Sequence, residues 1–593
     1  MTAREPGPRS ADASLPAARP RRASPFLALA SLWGLYELPT VFSPNGIDLH
    51  GVRPTGDFLV LLAAYPFVLS SEHRRVLRRI WFVCLGVLIA VRIDWTACWI
   101  ITRSRPLLYD QLFLFRHLFV LVGDLWSAPM ALCLVALGLV TWGIVRLSCA
   151  LGRASRPVFA PPERRRTTLS LCAAVGVCAA LTLVRIAAGT TEPLVHWILP
   201  ELADNLHQSV RTYRAVREGI FDSPYKAYAG IRLVRRPNVT FIFVESYGKI
   251  IADSADLAAR LTPRLTGVQR SLGQEGWHMV SGYSTAPVSG GRSWLAVGSI
   301  FMGTSVPYES IFRHLVHEGA GLPSIPSFLA ERGYDTVGLE PSDRVRPGVE
   351  EVNYYHLARQ IHFDDLHYTG RAIGWGLVPD QYSLGFAEDN VLAGEGERPR
   401  FFMFHMVSSH VPWSTVPSLV DDWHALNDDG GAPIGNAHGE HPTLYQLGDG
   451  LYTRLHRYGR EGMRRLAEYR DLSLGYRERY VDDVAYDLSV IERHLLREHG
   501  DELVVVMGDH QPPAVAPPYE NFDVPVHVFA RDPALLAEFV ERGFRPGLLL
   551  DSTTKPVVDH AGIFSLLVRA LMRVQPGRPV PPPYLRHGMP LTG

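Results

Sequence analysis

Apolar residues crowd into the first 190 positions of this 593-residue chain; beyond them, short apolar runs alternate with segments of helical spacing. About 20 apolar residues suffice to cross a bilayer. On that rule the chain offers candidate spans at 26–43, 57–71, 80–101, 126–148 and 167–187. A sixth apolar stretch, 107–122, is broken by Asp110, Arg116 and His117, and is expected to be an interfacial or re-entrant helix. After the last span, 189–225 carries apolar positions at helical spacing, as in an amphipathic helix along a membrane. From about 230 the pattern changes to β-α units, with strand candidates "NVTFIFVE", "GYDTVGLE", "RFFMFHMV" and "ELVVVMGD". Each is a near-continuous apolar run, as expected in a mainly parallel sheet covered by helices on both faces.

Charge gives the spans an orientation. "RPRR" precedes the first, "EHRRVLRR" follows the second and "GRASRPVFAPPERRR" follows the fourth, while the alternate loops are poorer in arginine. Basic loops stay cytoplasmic, so five spans with a cytoplasmic N-terminus place everything after Ala188 on the far side of the plasma membrane. The expected organisation is a disordered tail over 1–24, a helical membrane domain over 25–188, an amphipathic linker over 189–229 and an extracytoplasmic domain over 230–593. Basic and acidic residues balance at 59 each, which speaks against a nucleic-acid partner. All six cysteines lie in or beside the spans, so the external domain must fold without disulfides and hold any metal through oxygen and nitrogen.

Open α/β sheets bind ligands at the carboxyl ends of their strands. There the sequence places Glu245 after the first run and Asp509-His510 after the fourth, an oxygen-and-imidazole set suited to a divalent cation. The third run leads to His410, which could bind a phosphoryl oxygen or protonate a leaving group. The second leads to Arg344 and Arg346, of which Arg344 is the candidate anion clamp. In "VSGGRSWLAVGSIFMGT", two glycines and an arginine precede Ser293, which opens a helical pattern. A serine there meets free backbone N–H groups that favour an anion, and metal coordination would make its hydroxyl a nucleophile. Ser289 is the nearest rival. Asp482 and Asp483 are expected to be solvated, His527 and His560 to lie outside the metal set, and 414–465 to form a lid or acceptor-binding insertion.

"NVTFIFVESYG", a hydroxyl residue opening a helix, "HVP", "YVDDVAYDLSVIERHLL" and "VVVMGDHQPP", in that order, resemble the sulfatase-like branch of the alkaline phosphatase superfamily. The likeness covers roughly 235–575 and is nearest to membrane-bound lipoteichoic acid synthases and the phosphoglycerol and phosphoethanolamine transferases. It implies a sulfatase-like α/β domain and one divalent ion, Mn, Mg or Zn, bound by Glu245, Ser293, Asp509 and His510. Ser293 would also be the nucleophile, with His410 and Arg344 on the substrate phosphate. It further implies a phospholipid donor and an envelope glycan or glycolipid acceptor. "SWLAV" departs from the sulfatase signature, which makes sulfate-ester hydrolysis a poor fit, and serine stands where the transferases usually have threonine. Two other readings stay open: an envelope phosphate- or sulfate-ester hydrolase, and a non-catalytic module.

Overall fold

The computed structural model describes residues 55–70, 73–102, 106–111, 163–188 and 195–218 of the N-terminal part, with short pieces between 31 and 47 and between 142 and 154. Beyond these it describes 228–317, 324–343, 353–370, 377–393, 398–411, 413, 418–427, 476–497, 500–512, 515 and 521–590. Two compact units emerge: one of 1–41, 48–92 and 137–198, the other of 42–47, 93–136 and 199–593.

In the first unit, α1 (Gly56–Ser70) and α3 (Glu163–Ala188) fall on candidate spans, as does most of α2 (Arg74–Thr102), which continues into the second unit. Among the described residues, one stretch, Arg165–Arg185, is both long and apolar enough to cross a membrane. The spans expected at 26–43 and 126–148 lie largely outside the described residues, as does 107–122 beyond Gln111. Arg92, a charge inside an apolar helix, is buried against Glu37 and donates to Thr55 Oγ1 at 2.6 Å. Burying a lone charge is costly, and Glu37 supplies the counter-charge.

The second unit contains α4 (Ile198–Glu218) and a nine-stranded mixed sheet. Its strands are β1 (Asn238–Val244), β2 (His278–Thr285), β3 (Asp335–Glu340), β4 (Arg359–His362), β5 (Arg400–Met406), β6 (Glu502–Gly508), β7 (Asp523–Ala530), β8 (Arg545–Pro546) and β9 (Pro556–Asp559). They are ordered β8-β2-β7-β6-β1-β5-β3-β4, with β9 beside β2. The expected mainly parallel sheet is thus mixed: β6, β1, β5, β3 and β4 are mutually parallel, whereas β7 is antiparallel to both β6 and β2, and β8 to β2. β7 follows β6 with no helix among the described residues between them, and parallel neighbours need a crossover that such a connection does not supply.

Because β7 is antiparallel to both its neighbours, β2 runs the same way as the parallel block. The carboxyl ends of β1, β2, β3, β4, β5 and β6 therefore open on one edge. Both faces of the sheet are covered, which is why its strands read as unbroken apolar runs. On one face Phe241 and Phe243 of β1 pack with Leu295, Ile300 and Phe301 of α6 (Ser293–Met302) and with the helix Ile563–Arg573. On the other, Ile242 and Val244 pack against α5 (Ala255–Gln274) and α9 (Tyr476–Leu495). Between α6 and α9 in the chain come α7 (Glu309–His317) and α8 (Asp380–Ala387).

On α9 the expected pair of solvated aspartates divides. Asp482 is paired with Arg260 at 2.6 Å, but Asp483 is buried. Burial, reinforced by Asp482 and only partly offset by Arg479, pushes the Asp483 carboxyl up to about 8. An acid raised in the fold is protonated there while ionised in the unfolded chain, so its cost to stability grows as pH rises from about 4 through about 8. Asp483→Asn is therefore expected to raise the melting temperature of this unit more at pH 9 than at pH 5. The gain at pH 9 should be on the order of 2 kcal/mol or more; a gain independent of pH would contradict a buried, protonated Asp483.

Candidate active site

Glu245 follows β1 directly, and the turn after it is held in an unusual conformation. Ser246 has φ 59°, a left-handed geometry that few non-glycine residues adopt. The surroundings compensate: its N–H donates to Asp509 Oδ1 at 2.8 Å, its hydroxyl to Glu245 Oε1 at 2.8 Å, and its carbonyl accepts from the Tyr480 hydroxyl at 2.8 Å. The turn passes over the end of β6 so closely that a Cβ on Gly508 would lie 2.0 Å from the Tyr247 carbonyl oxygen. Glycine is needed there for two strand ends to meet.

Asp509 is fully buried, and its two oxygens have different surroundings. Oδ1 accepts from the N–H groups of Ser246 and His510, at 2.8 and 2.7 Å. Oδ2 is buried with no hydrogen-bond partner and lies 3.4 Å from His510 Nε2. His510 Nε2 is also 3.5 Å from Glu245 Oε1 and 3.1 Å from Ser293 Oγ. The Ser293 hydroxyl donates to Glu245 Oε2 at 3.0 Å. Ser293 thus joins Glu245, Asp509 and His510 from the first residue of α6, after Gly290 and Gly291, both with positive φ. Ser289 is buried one step before those glycines.

One participant escaped the sequence reading. His405, the next-to-last residue of β5, places Nε2 3.6 Å from Glu245 Oε2 and 3.6 Å from Asp509 Oδ2. Those distances exceed hydrogen-bond reach, and Nε2 is another buried atom without a partner. Burial lowers the pKa of His405, but the two carboxylates outweigh it and lift it to about 10. Glu245 shows the converse: burial acts to raise it, yet His510, His405 and His410 bring it well below the usual carboxylate range. The clue in the sequence was a single imidazole inside the otherwise apolar run "RFFMFHMV". With odd positions of β5 facing the core that includes α6, His405 stands on the same side as Ser293.

Glu245, His405 and Asp509 each present a ligand atom within 4.8 Å of the others. Two buried carboxylates and an orphaned imidazole nitrogen converging on one point suit a divalent cation, since hard oxygens with imidazole fit Mg, Mn or Zn. A second group, Glu340, Asp343 and His362, meets the same criterion at the ends of β3 and β4. Arg344, the expected anion clamp, lies outside the described residues, as does most of 414–465.

The other histidines divide as well. His410 lies near enough to lower the Glu245 carboxyl, and its Nδ1 is 2.5 Å from the Val411 carbonyl oxygen. His527 sits between Tyr247 and Ser281, and burial lowers its pKa to about 3. His560 is lowered to about 4, also by burial, with Nδ1 on Ser284 and Nε2 on the Asp509 carbonyl. Both are neutral and occupied by hydrogen bonds.

Substituting Glu245 by Gln or Asp509 by Asn in the full chain is expected to weaken Mn or Zn binding about 10- to 100-fold or more, read by titration calorimetry. His405→Asn should fall in the same range. Unchanged affinity in all three would rule out a metal at this point.

A scan against protein-family models finds no match, and a search of curated proteins finds no relative in sequence. Solved structures do match. The lipoteichoic acid synthase LtaP from Listeria monocytogenes is 13% identical, over 61% of this chain and 79% of that one, with a TM-score of 0.32. A protein in the alkaline phosphatase superfamily from Vibrio parahaemolyticus is 14% identical over 60% and 75%, with a TM-score of 0.36. The phosphoglycerol transferase GacH from Streptococcus pyogenes, solved with sn-glycerol-1-phosphate, is 11% identical over 61% and 84%, with a TM-score of 0.33.

Proposed function

We propose that this chain is a membrane-anchored, metal-dependent phosphotransferase that moves a phosphoglycerol- or phosphoethanolamine-type group from a lipid donor to an envelope glycan or glycolipid. The observation that carries this reading is the hydroxyl of Ser293, at the start of a helix, 3.0 Å from Glu245 and 3.1 Å from His510. A serine so placed has an acceptor for its proton and free helix N–H groups facing the phosphoryl oxygens it would attack.

Glu245, Ser293, Asp509 and His510 would hold the cation, with His405 beside them. When bound, the metal would lower the pKa of the Ser293 hydroxyl and offset charge on the phosphoryl oxygens. Ser293 Oγ then attacks the donor phosphorus: the Oγ–P bond forms, the bond from phosphorus to the diacylglycerol oxygen breaks, and His410 protonates the departing alcohol. The product is a phosphoalcohol ester on Ser293. An acceptor hydroxyl attacks the same phosphorus, gives up its proton to His410 and releases Ser293. Arg344 is assigned to hold the phosphoryl oxygens during both steps. Placing this domain outside the cytoplasm, anchored by the N-terminal helices, would keep Ser293 near the bilayer surface and its lipid donors.

The test is an intact-mass spectrum of the metal-loaded full chain incubated with phosphatidylglycerol or phosphatidylethanolamine, wild type beside Ser293→Ala. A phosphoalcohol adduct is expected on the wild type alone, and its mass identifies the headgroup. An equal adduct on Ser293→Ala would move the nucleophile elsewhere; no adduct with either lipid would remove the transferase reading for these donors. His410→Ala is expected to slow adduct formation about 10²- to 10⁴-fold, with less loss when the leaving group is an acidic phenol that needs no proton.

A further inference from the structure

The loop that carries Ser293 turns through two glycines. Gly290 and Gly291 both occupy the left-handed region, and Arg292, at φ −148°, makes no side-chain cap on α6. The residues on either side of the serine both connect to the first turn of α7, Trp294 directly and Arg292 through Asp110. Trp294 Nε1 donates to Glu309 Oε2 at 2.7 Å, and Glu309 is itself held by Arg313 at 2.7 Å. Arg292 Nη1 lies 3.9 Å from Asp110 Oδ2, and Asp110 Oδ1 accepts from the Ser310 N–H at 2.7 Å.

Asp110 belongs to the same compact unit as the sheet but is far from its strands in sequence. It lies in 106–111, the segment that follows α2, and it is 3% exposed. That segment is fixed in turn by α4: the Asn205 side chain accepts from the Leu108 N–H at 2.9 Å and donates to the Pro106 carbonyl, and Ser209 Oγ accepts from the Tyr109 N–H at 3.2 Å. A buried carboxylate this far from its neighbours in sequence needs its partners to offset desolvation, and the partners it has are Arg292, the residue before Ser293, and the N–H of Ser310, the second residue of α7.

We propose that Asp110 is a positioning residue for the nucleophile, acting through Arg292, so that the active site is complete only when the segment between the N-terminal helices is docked on it. The inference rests on the reading of Ser293 as nucleophile. Misplacing a reacting group by about 1 Å can cost about 10²-fold in rate, so a strut of this kind is felt at the chemical step.

The test uses the full chain in nanodiscs containing phosphatidylglycerol and phosphatidylethanolamine, with Asp110→Asn, Asp110→Glu, Arg292→Met and the Asp110→Asn/Arg292→Met double variant. Asparagine keeps the acceptor for Ser310 and removes the charge facing Arg292. Asp110→Asn is expected to slow Ser293 adduct formation about 10-fold or more with Mn content unchanged, and to speed hydrogen exchange across 288–295. Asp110→Glu should restore most of both. In the Arg292→Met background the further effect of Asp110→Asn should vanish, because residues acting as one unit are not additive. The inference is overturned if Asp110→Asn leaves adduct rate and exchange within twofold of wild type, or if its effect persists in full without Arg292. Should the wild type form no adduct, the functional reading falls, and the exchange comparison alone decides whether Asp110 holds the loop.

Discussion

Two buried carboxylates aimed at one point set the terms for this structure. Glu245 and the unpartnered oxygen of Asp509 sit at the ends of adjacent strands, β1 and β6, where water is excluded and like charges repel. Such an arrangement persists only if something positive stands between them and the backbone enforces the approach. The first need is met by His405, whose pKa the two carboxylates lift to about 10, and, in the proposed mechanism, by a divalent cation. The second is met by the left-handed turn at Ser246 and by the missing side chain of Gly508. Removing either device would relieve the repulsion by moving the ligands apart.

The sheet explains why the site forms at one edge. A parallel block β6-β1-β5-β3-β4 puts every carboxyl end on the same side, and the reversal at β7 returns β2 to that direction, so the loop carrying Ser293 also emerges there. Glu245, Ser293, His405 and the pair Asp509-His510, from four separate stretches of chain, are thereby held in or directly after strands or on the first turn of a helix. His527 and His560, which could have competed for a metal, are instead neutral and used in hydrogen bonds behind the site, His560 on the Asp509 carbonyl itself. Ser293 is held differently, from outside the sheet, through Arg292 and Trp294 and the start of α7.

Much of this was legible in the residues. Continuous apolar runs at 238–245, 335–340, 400–407 and 502–508 marked buried strands, because a strand covered on both faces has no polar side to display. Glu245, Asp509 and His510 stood out as polar groups at the ends of such runs, and Ser293 as a hydroxyl between two glycines and a helical pattern. Local chemistry suffices to recognise a group at the end of an element. Tertiary structure alone decided which of them meet. His405 was hidden within an apolar run, and only the pairing of β5 with β1 brings it to Glu245. Asp483, next to the half-buried, ion-paired Asp482, is itself buried, and β7 runs backwards with no helical crossover among the described residues before it. Asp110 lies 200 residues from Ser310, the group it caps, and nothing in the spacing of either could connect them. Hydrophobic period and turn chemistry act over a few residues and can be read along a chain; the pairing of charges across long sequence separations is settled by packing, and is visible only once the chain has folded.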